Sequence, residues 1–231
     1  AINKVPLTQE YQLDVPAIAE AISENTKLIF LCSPNNPTGN SLNRLDVEAI
    51  LNNYFGIVVI DEAYINFSRY RSLTPSLGEY PNLVILQTLS KAWGLAALRV
   101  GMAFADSEIV DVMNRIKPPY NINQASQDLA LQSLDRVEEV NNMIHEIVNE
   151  RKFLQEALPA IKVVEKINPS DANFLLVKVT EPVAVYQFLL SRGIVVRDRS
   201  RVELCEGCLR ITIGTPEENK ILIKALNDFK V

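Results

Sequence analysis

Residues 82–101 read "NLVILQTLSKAWGLAALRVG". An apolar run, Leu83 to Leu86, has the character of a buried strand. It gives way to Thr88, Ser90 and Lys91, and Arg99 and Gly101 follow. Two earlier stretches, "TKLIFLCS" and "GIVVIDEAY", are equally short and continuously apolar. Strands of this kind suit a parallel sheet covered on both faces. Between those two lies "SLNRLDVEAILNNYFG". Its apolar spacing predicts a helix capped at Asn40 or Ser41 and stopped at Gly56. Strand, helix and strand then form a right-handed βαβ crossover.

The downstream pattern extends the reading. "LRVGMAFA" predicts a further strand, and "DSEIVDVMNRIK" a helix ended by Pro118 and Pro119. From Asn121 the chain turns helical, through "NQASQDLALQSL" and the long, charged "RVEEVNNMIHEIVNERKFLQEAL". Strand segments "IKVVEKINPS", "NFLLVKV", "IVVRDR" and "CLRITIG" then mix with helices "PVAVYQFLLSRG" and "PEENKILIKALNDF". The fold class expected is α/β: a mostly parallel sheet flanked by helices over residues 1–135. A linker helix and a smaller α+β domain fill residues 136–231.

Bulk properties narrow the partners. The chain has 231 residues, 48% of them hydrophobic, enough for a sizeable core. Its net charge of −5 carries no basic tract, which argues against nucleic acid or an anionic membrane. No apolar run reaches the roughly 20 residues of a membrane span, so the cytoplasm is the expected location. Three cysteines are too few for a disulfide framework. Cys205 and Cys208 have C-x-x-C spacing, but His145 is the only histidine, so a turn with two thiols is expected rather than a metal site.

Three predicted strands end in polar residues that packing does not require. The first runs into Asn35, Asn36, Pro37, Thr38 and Gly39, the second into Asp61 and Tyr64, and the third into Lys91. Open α/β sheets gather their sites at such carboxyl ends. A lysine at a partly dry strand end can act as an amine nucleophile, giving a Schiff base with an aldehyde. An aspartate can keep a pyridine nitrogen protonated, asparagine and tyrosine can donate to a phenolic oxygen, and hydroxyls with an arginine can hold phosphate. Together these are the needs of pyridoxal 5′-phosphate (PLP).

"SPNNPTG", "DEAY", "TLSKAWGLAALRVG" and "LRITIGT" also resemble fold-type I PLP-dependent aminotransferases. "KPPYNIN" and "GIVVRD" resemble the histidinol-phosphate aminotransferase branch in particular. The resemblance implies that Lys91 is the Schiff-base lysine, Asp61 the partner of the pyridine nitrogen, and Asn36 and Tyr64 the donors to the phenolic oxygen. Lys91, Asp61 and Tyr64 would form the catalytic group. Thr88, Ser90 and Arg99 would contact the cofactor phosphate, with Arg99 gripping it through paired hydrogen bonds. Arg210, with Asn36, would hold a substrate carboxylate, and Arg197 would stand at the substrate end of the site. A surface ion pair of Arg197 with Asp198 or Glu203 is the plainer alternative.

The resemblance further implies transfer of an amino group between L-histidinol phosphate and 2-oxoglutarate by a homodimer. Another aminotransferase, a decarboxylase of phosphorylated amino acids, and a non-catalytic interaction module are the alternatives. Family members also carry an N-terminal region, on the order of a hundred residues, with no counterpart here. Its loss would remove a phosphate-binding helix start and a ring-stacking wall, so weak PLP binding and little or no activity are expected.

Overall fold

The computed structural model describes residues 1–230, which group into two compact units. The first comprises Ala1–Pro34 and Ser41–Val140; the second comprises Asn35–Asn40 and the chain from Asn141 onward.

The first unit opens with α1 (Val15–Ala21), a short helix absent from the sequence expectations; Asp14 caps it by accepting from the Ala17 amide. There follow β1 (Leu28–Cys32), α2 (Arg44–Asn53), β2 (Ile57–Asp61), β3 (Leu83–Thr88) and β4 (Gly101–Ala105). The sheet order is β1-β2-β3-β4, with the first two pairings parallel and the last antiparallel. Val58, Ile60, Leu83 and Ile85 are buried and pack in one cluster with Val47, Ile50 and Leu51 of α2. Each such side chain contributes about 1.5–3 kcal/mol by leaving water.

Two boundaries of α2 differ from expectation. Asn43 rather than Asn40 or Ser41 is the cap, because its backbone is extended and its side chain accepts from the Leu45 amide. The helix stops at Tyr54, before Gly56. The strand expected from Leu98 begins only at Gly101, because residues 96–98 form a 3₁₀ turn ended by Arg99 in the left-handed region, φ 58°. Helices α3 (Ser107–Ile116) and α4 (Gln124–Leu134) complete the unit, and α5 (Val137–Ala157) runs from it into the second.

The second unit is built on β5 (Val164–Ile167), β6 (Phe174–Val179), β7 (Arg197–Asp198) and β8 (Cys208–Thr212), in the order β5-β6-β8-β7 and antiparallel throughout. Helices α6 (Pro182–Ser191) and α7 (Pro216–Asp228) cover it. Leu154, Leu175, Val177, Leu189, Leu209, Ile211 and Leu222 form its buried core. Helix α7 starts on a full capping box between Thr215 and Glu218.

Candidate active site

The parallel register brings the strand ends of the first unit level. Cys32 pairs with Asp61, and Asp61 with Leu86, so β1, β2 and β3 finish side by side. Asp61 is half-buried there. Its Oδ1 accepts from the Ala63 amide at 3.0 Å, and among the described residues Oδ2 accepts no hydrogen bond. Tyr64 is buried three residues further on. The Lys91 Nζ stands 5.3 Å from the centre of the Tyr64 ring, within range of a cation–π attraction. An amine, a carboxyl oxygen without a protein donor and a phenol thus belong to one end of one sheet.

The hydroxyl pair lies on the same strand end. The Ser90 amide donates to Thr88 Oγ1 at 3.0 Å, and the Thr88 hydroxyl is 2.9 Å from Ser90 Oγ. Thr88 pairs with Gly101, and the Leu89 amide donates to the Val100 carbonyl, which returns the chain beside Thr88 just after Arg99. The Arg99 guanidinium is exposed and donates through Nη1 to the Ala96 carbonyl at 3.0 Å, folded onto its own turn. Lys91 is likewise exposed. The partly dry setting expected for it is therefore not supplied by the described residues, although its neighbours Leu89 and Ala92 are buried.

The other expected residues belong to the second unit. The turn Asn35–Asn40 is tied internally: Asn35 Nδ2 donates to Thr38 Oγ1 at 2.7 Å, Thr38 to Asn40 Oδ1 at 2.6 Å, and the Gly39 amide to the Asn35 carbonyl at 2.7 Å. The Asp171 amide donates to the Gly39 carbonyl at 2.7 Å, seating the turn beside β6. Asn36 is exposed on this turn, and its Oδ1 accepts from Arg210 Nη1 at 2.7 Å. The Arg210 guanidinium lies 4.9 Å from the Phe174 ring centre. Arg197 is the strand partner directly opposite Arg210. Two like charges in that relation repel. No ion pair joins Arg197 to Asp198 or Glu203 among the described residues.

Sequence reading passed over Glu62, Phe174 and Ser170. Glu62 is 2% exposed, a buried acid directly after Asp61. Cys205 and Cys208 are buried across a tight turn closed by the Cys208 amide to the Cys205 carbonyl at 2.9 Å. Burial pushes the Cys205 thiol up to about 11 and raises Cys208 as well. Among the described residues no group of three or more His, Cys, Asp or Glu side chains is placed to hold a metal ion.

A family model, aminotransferase class I and II, matches residues 1–226. The chain belongs to that family. It is 50% identical over 228 residues to the histidinol-phosphate aminotransferase of Cytophaga hutchinsonii, and 53% identical over 229 residues to that of Parabacteroides distasonis. Each alignment covers 99% of this chain and 66% of the relative, so the chain spans a little under two thirds of their length. The histidinol-phosphate aminotransferase structure from Clostridium acetobutylicum superposes with a TM-score of 0.88 at 24% identity, over 96% of this chain and 69% of that one. A decarboxylase from Sulfurospirillum multivorans superposes at 0.84 with 30% identity, over 96% and 68%. The fold, a mixed sheet flanked by helices in one unit and an antiparallel sheet in the other, is shared with these neighbours.

Proposed function

We propose that the chain is the greater part of a PLP-dependent transaminase that exchanges an amino group between L-histidinol phosphate and 2-oxoglutarate. The observation that carries the chemistry is the Lys91 amine over the Tyr64 ring, on the sheet end that also carries Asp61 with its undonated oxygen. The names of relatives at 45–53% identity support the substrate.

The donor set fits PLP. When bound, the cofactor supplies an aldehyde for an amine and a ring that draws electrons from the substrate's α-carbon. Lys91 would hold that aldehyde and then carry the proton to and from the α-carbon. Asp61 Oδ2 would keep a proton on the ring nitrogen. Tyr64 and Asn36 would donate to the phenolic oxygen, while Thr88, Ser90 and Arg99 would hold the phosphate. Arg210 and Arg197 would bind the anionic groups of the substrates. The same reading makes the protein a cytoplasmic homodimer; no described helix is long and apolar enough to cross a membrane.

A decarboxylase of phosphorylated amino acids is the second reading, favoured by the Sulfurospirillum structure and by an L-threonine-O-3-phosphate decarboxylase from Porphyromonas gingivalis at 26% identity and a TM-score of 0.78. The test starts with PLP, sodium borohydride and peptide mapping. A covalent adduct on Lys91, lost in Lys91→Ala, is expected. Glutamate formed from L-histidinol phosphate and 2-oxoglutarate supports the transaminase, whereas carbon dioxide release selects the decarboxylase. A folded chain with no adduct on Lys91 removes both and leaves a non-catalytic module.

A further inference from the structure

Glu62 is the most deeply buried acid at the sheet end, and the proposed chemistry does not use it. Its carboxyl group is the meeting point of three donors, two from the loop at Ser72 and Leu73 and one from Gln87 of β3. The Ser72 hydroxyl donates to Oε2 at 2.6 Å, Gln87 Nε2 donates to the same oxygen at 2.9 Å, and the Leu73 amide donates to Oε1 at 2.9 Å. The Glu62 amide meanwhile donates to the Leu86 carbonyl at 2.8 Å, one step beyond the end of β2. Glu62 follows Asp61, and Gln87 precedes Thr88. One buried carboxyl group therefore ties the strand end bearing Asp61 and Tyr64 to the strand end bearing Thr88, Ser90 and Lys91.

We infer that Glu62 is a positioning residue, a latch that ties the end of β2 to the end of β3 through Gln87 and braces both against the loop at Ser72 and Leu73, and so places Asp61 and Lys91. This deepens the transaminase reading and rests on it for its purpose, though not for its geometry. Successive side chains of a strand face opposite ways. Glu62 and Gln87 meet on the face turned away from Asp61, so the latch acts without touching a substrate. An amide in its place retains only one acceptor oxygen and turns an N–H₂ toward donors. Glu62→Gln thus weakens the latch, facing an N–H₂ toward at least one of its donors, with little change of volume.

The control lies at the other end of the same strand. Asn82 Nδ2 donates to the carbonyls of Leu51 at 3.2 Å and Tyr54 at 2.9 Å, a comparable anchor remote from Lys91. The test compares Glu62→Gln, Asn82→Ala and the parent in the full chain. It records the thermal midpoint, the ¹⁵N amide resonances of Thr88, Ser90 and Lys91 without cofactor, and borohydride trapping of PLP on Lys91. Glu62→Gln is expected to move all three resonances and to weaken trapping on the order of tenfold, as losing a buried hydrogen bond does. Asn82→Ala, with a similar loss of midpoint, is expected to move neither. Resonances that stay at their parent positions in Glu62→Gln overturn the latch, as do shifts that simply follow the midpoint in both variants. Should Glu62→Gln not fold, Ser72→Ala removes one donor from a distant loop and is judged by the same resonances. A parent chain that traps nothing defeats the transaminase reading, while the resonances still decide the latch.

Discussion

Gly39 is a position where one methyl group should meet both backbone strain and a steric clash. Its φ is +86°, in the region L-residues avoid, and a Cβ there would sit 2.6 Å from Ser170 Oγ and 3.0 Å from Ser170 Cβ. Ser170 cannot easily withdraw, because its hydroxyl donates to the Phe174 carbonyl at 2.6 Å and accepts from the Ala172 amide at 3.1 Å. In Gly39→Ala the backbone conformation costs about 1–2 kcal/mol and the overpacking about 1–3 kcal/mol. The total of about 2–5 kcal/mol falls on the turn that carries Asn36. The Asp171 amide, bonded to the Gly39 carbonyl, reports on that turn directly. Its native-state hydrogen exchange should accelerate by about 30-fold to several thousand-fold, since every 1.4 kcal/mol is a factor of about ten. Ser170→Ala alone loses two buried hydrogen bonds, about 1–3 kcal/mol. In the double variant the contact with Oγ disappears while the backbone penalty and the tight Cβ contact remain. The two changes should therefore fall short of additivity by about 1–2 kcal/mol. Additivity to within about 0.5 kcal/mol, or a Gly39→Ala cost below about 1 kcal/mol, would refute this division into strain and clash.

Asp61→Asn retains an Oδ1 able to accept from the Ala63 amide, so stability should change by no more than about 0.5 kcal/mol. PLP trapping should persist, but single-turnover proton transfer from L-histidinol phosphate should slow at least about a hundredfold, the scale of one acid–base partner; parent-like rates would remove its role. Arg210→Lys loses the planar group that meets both Asn36 and the Phe174 ring. KM for 2-oxoglutarate should rise about tenfold or more with Lys91 trapping unchanged, and an unaltered KM would dismiss Arg210 as the carboxylate clamp. Cys205, with its thiol raised to about 11, holds about a thousandth of its population as thiolate at pH 8. A chromogenic disulfide should then label half-buried Cys32 first and reach Cys205 and Cys208 only on unfolding. The folded chain holds that thiol proton more tightly than an exposed thiol does, so its contribution to stability is complete below pH 9 and is lost as pH rises toward 11. Prompt labelling of all three thiols at pH 8 would contradict the burial.

Most of the architecture was legible because it follows from apolar patterning. Runs such as "LIFLC", "IVVID" and "LVILQT" announce parallel strands, and the described β1, β2 and β3 occupy those runs; burial on both faces holds for the middle of β2 and the start of β3, whereas Leu28 and Phe30 of β1 are exposed. Boundaries were less legible, because backbone conformation sets them. Arg99 adopts a left-handed φ without being glycine, and so delays β4 to Gly101. Helix α1 escaped notice because seven residues carry too little periodicity to register. Asp61, Thr88 and Lys91 stood out because they interrupt or follow an apolar run at a strand end, whereas Arg99, Arg197 and Arg210 were marked by the family resemblance. Their environment did not: nothing in "TLSK" indicates that Lys91 stands exposed over the ring of Tyr64, a residue 27 positions earlier.

Glu62 shows why an inner supporting residue is harder to read than the residue it supports. In "IVVIDEAY" two acids stand together at the end of a strand, and attention falls on the first because an acid there already breaks the apolar run. Yet two consecutive residues on extended backbone face opposite sides. If Asp61 faces one side of the sheet, Glu62 must enter the layer on the other. A buried carboxyl group without donors would cost several kcal/mol, so the sequence must supply them nearby. Ser72, the Leu73 amide and Gln87 do so. The alternation of faces together with the demand for hydrogen-bond partners points to Glu62 from the adjacent acids alone, and Gln87, the polar residue that breaks "LVIL", is then the natural donor to seek.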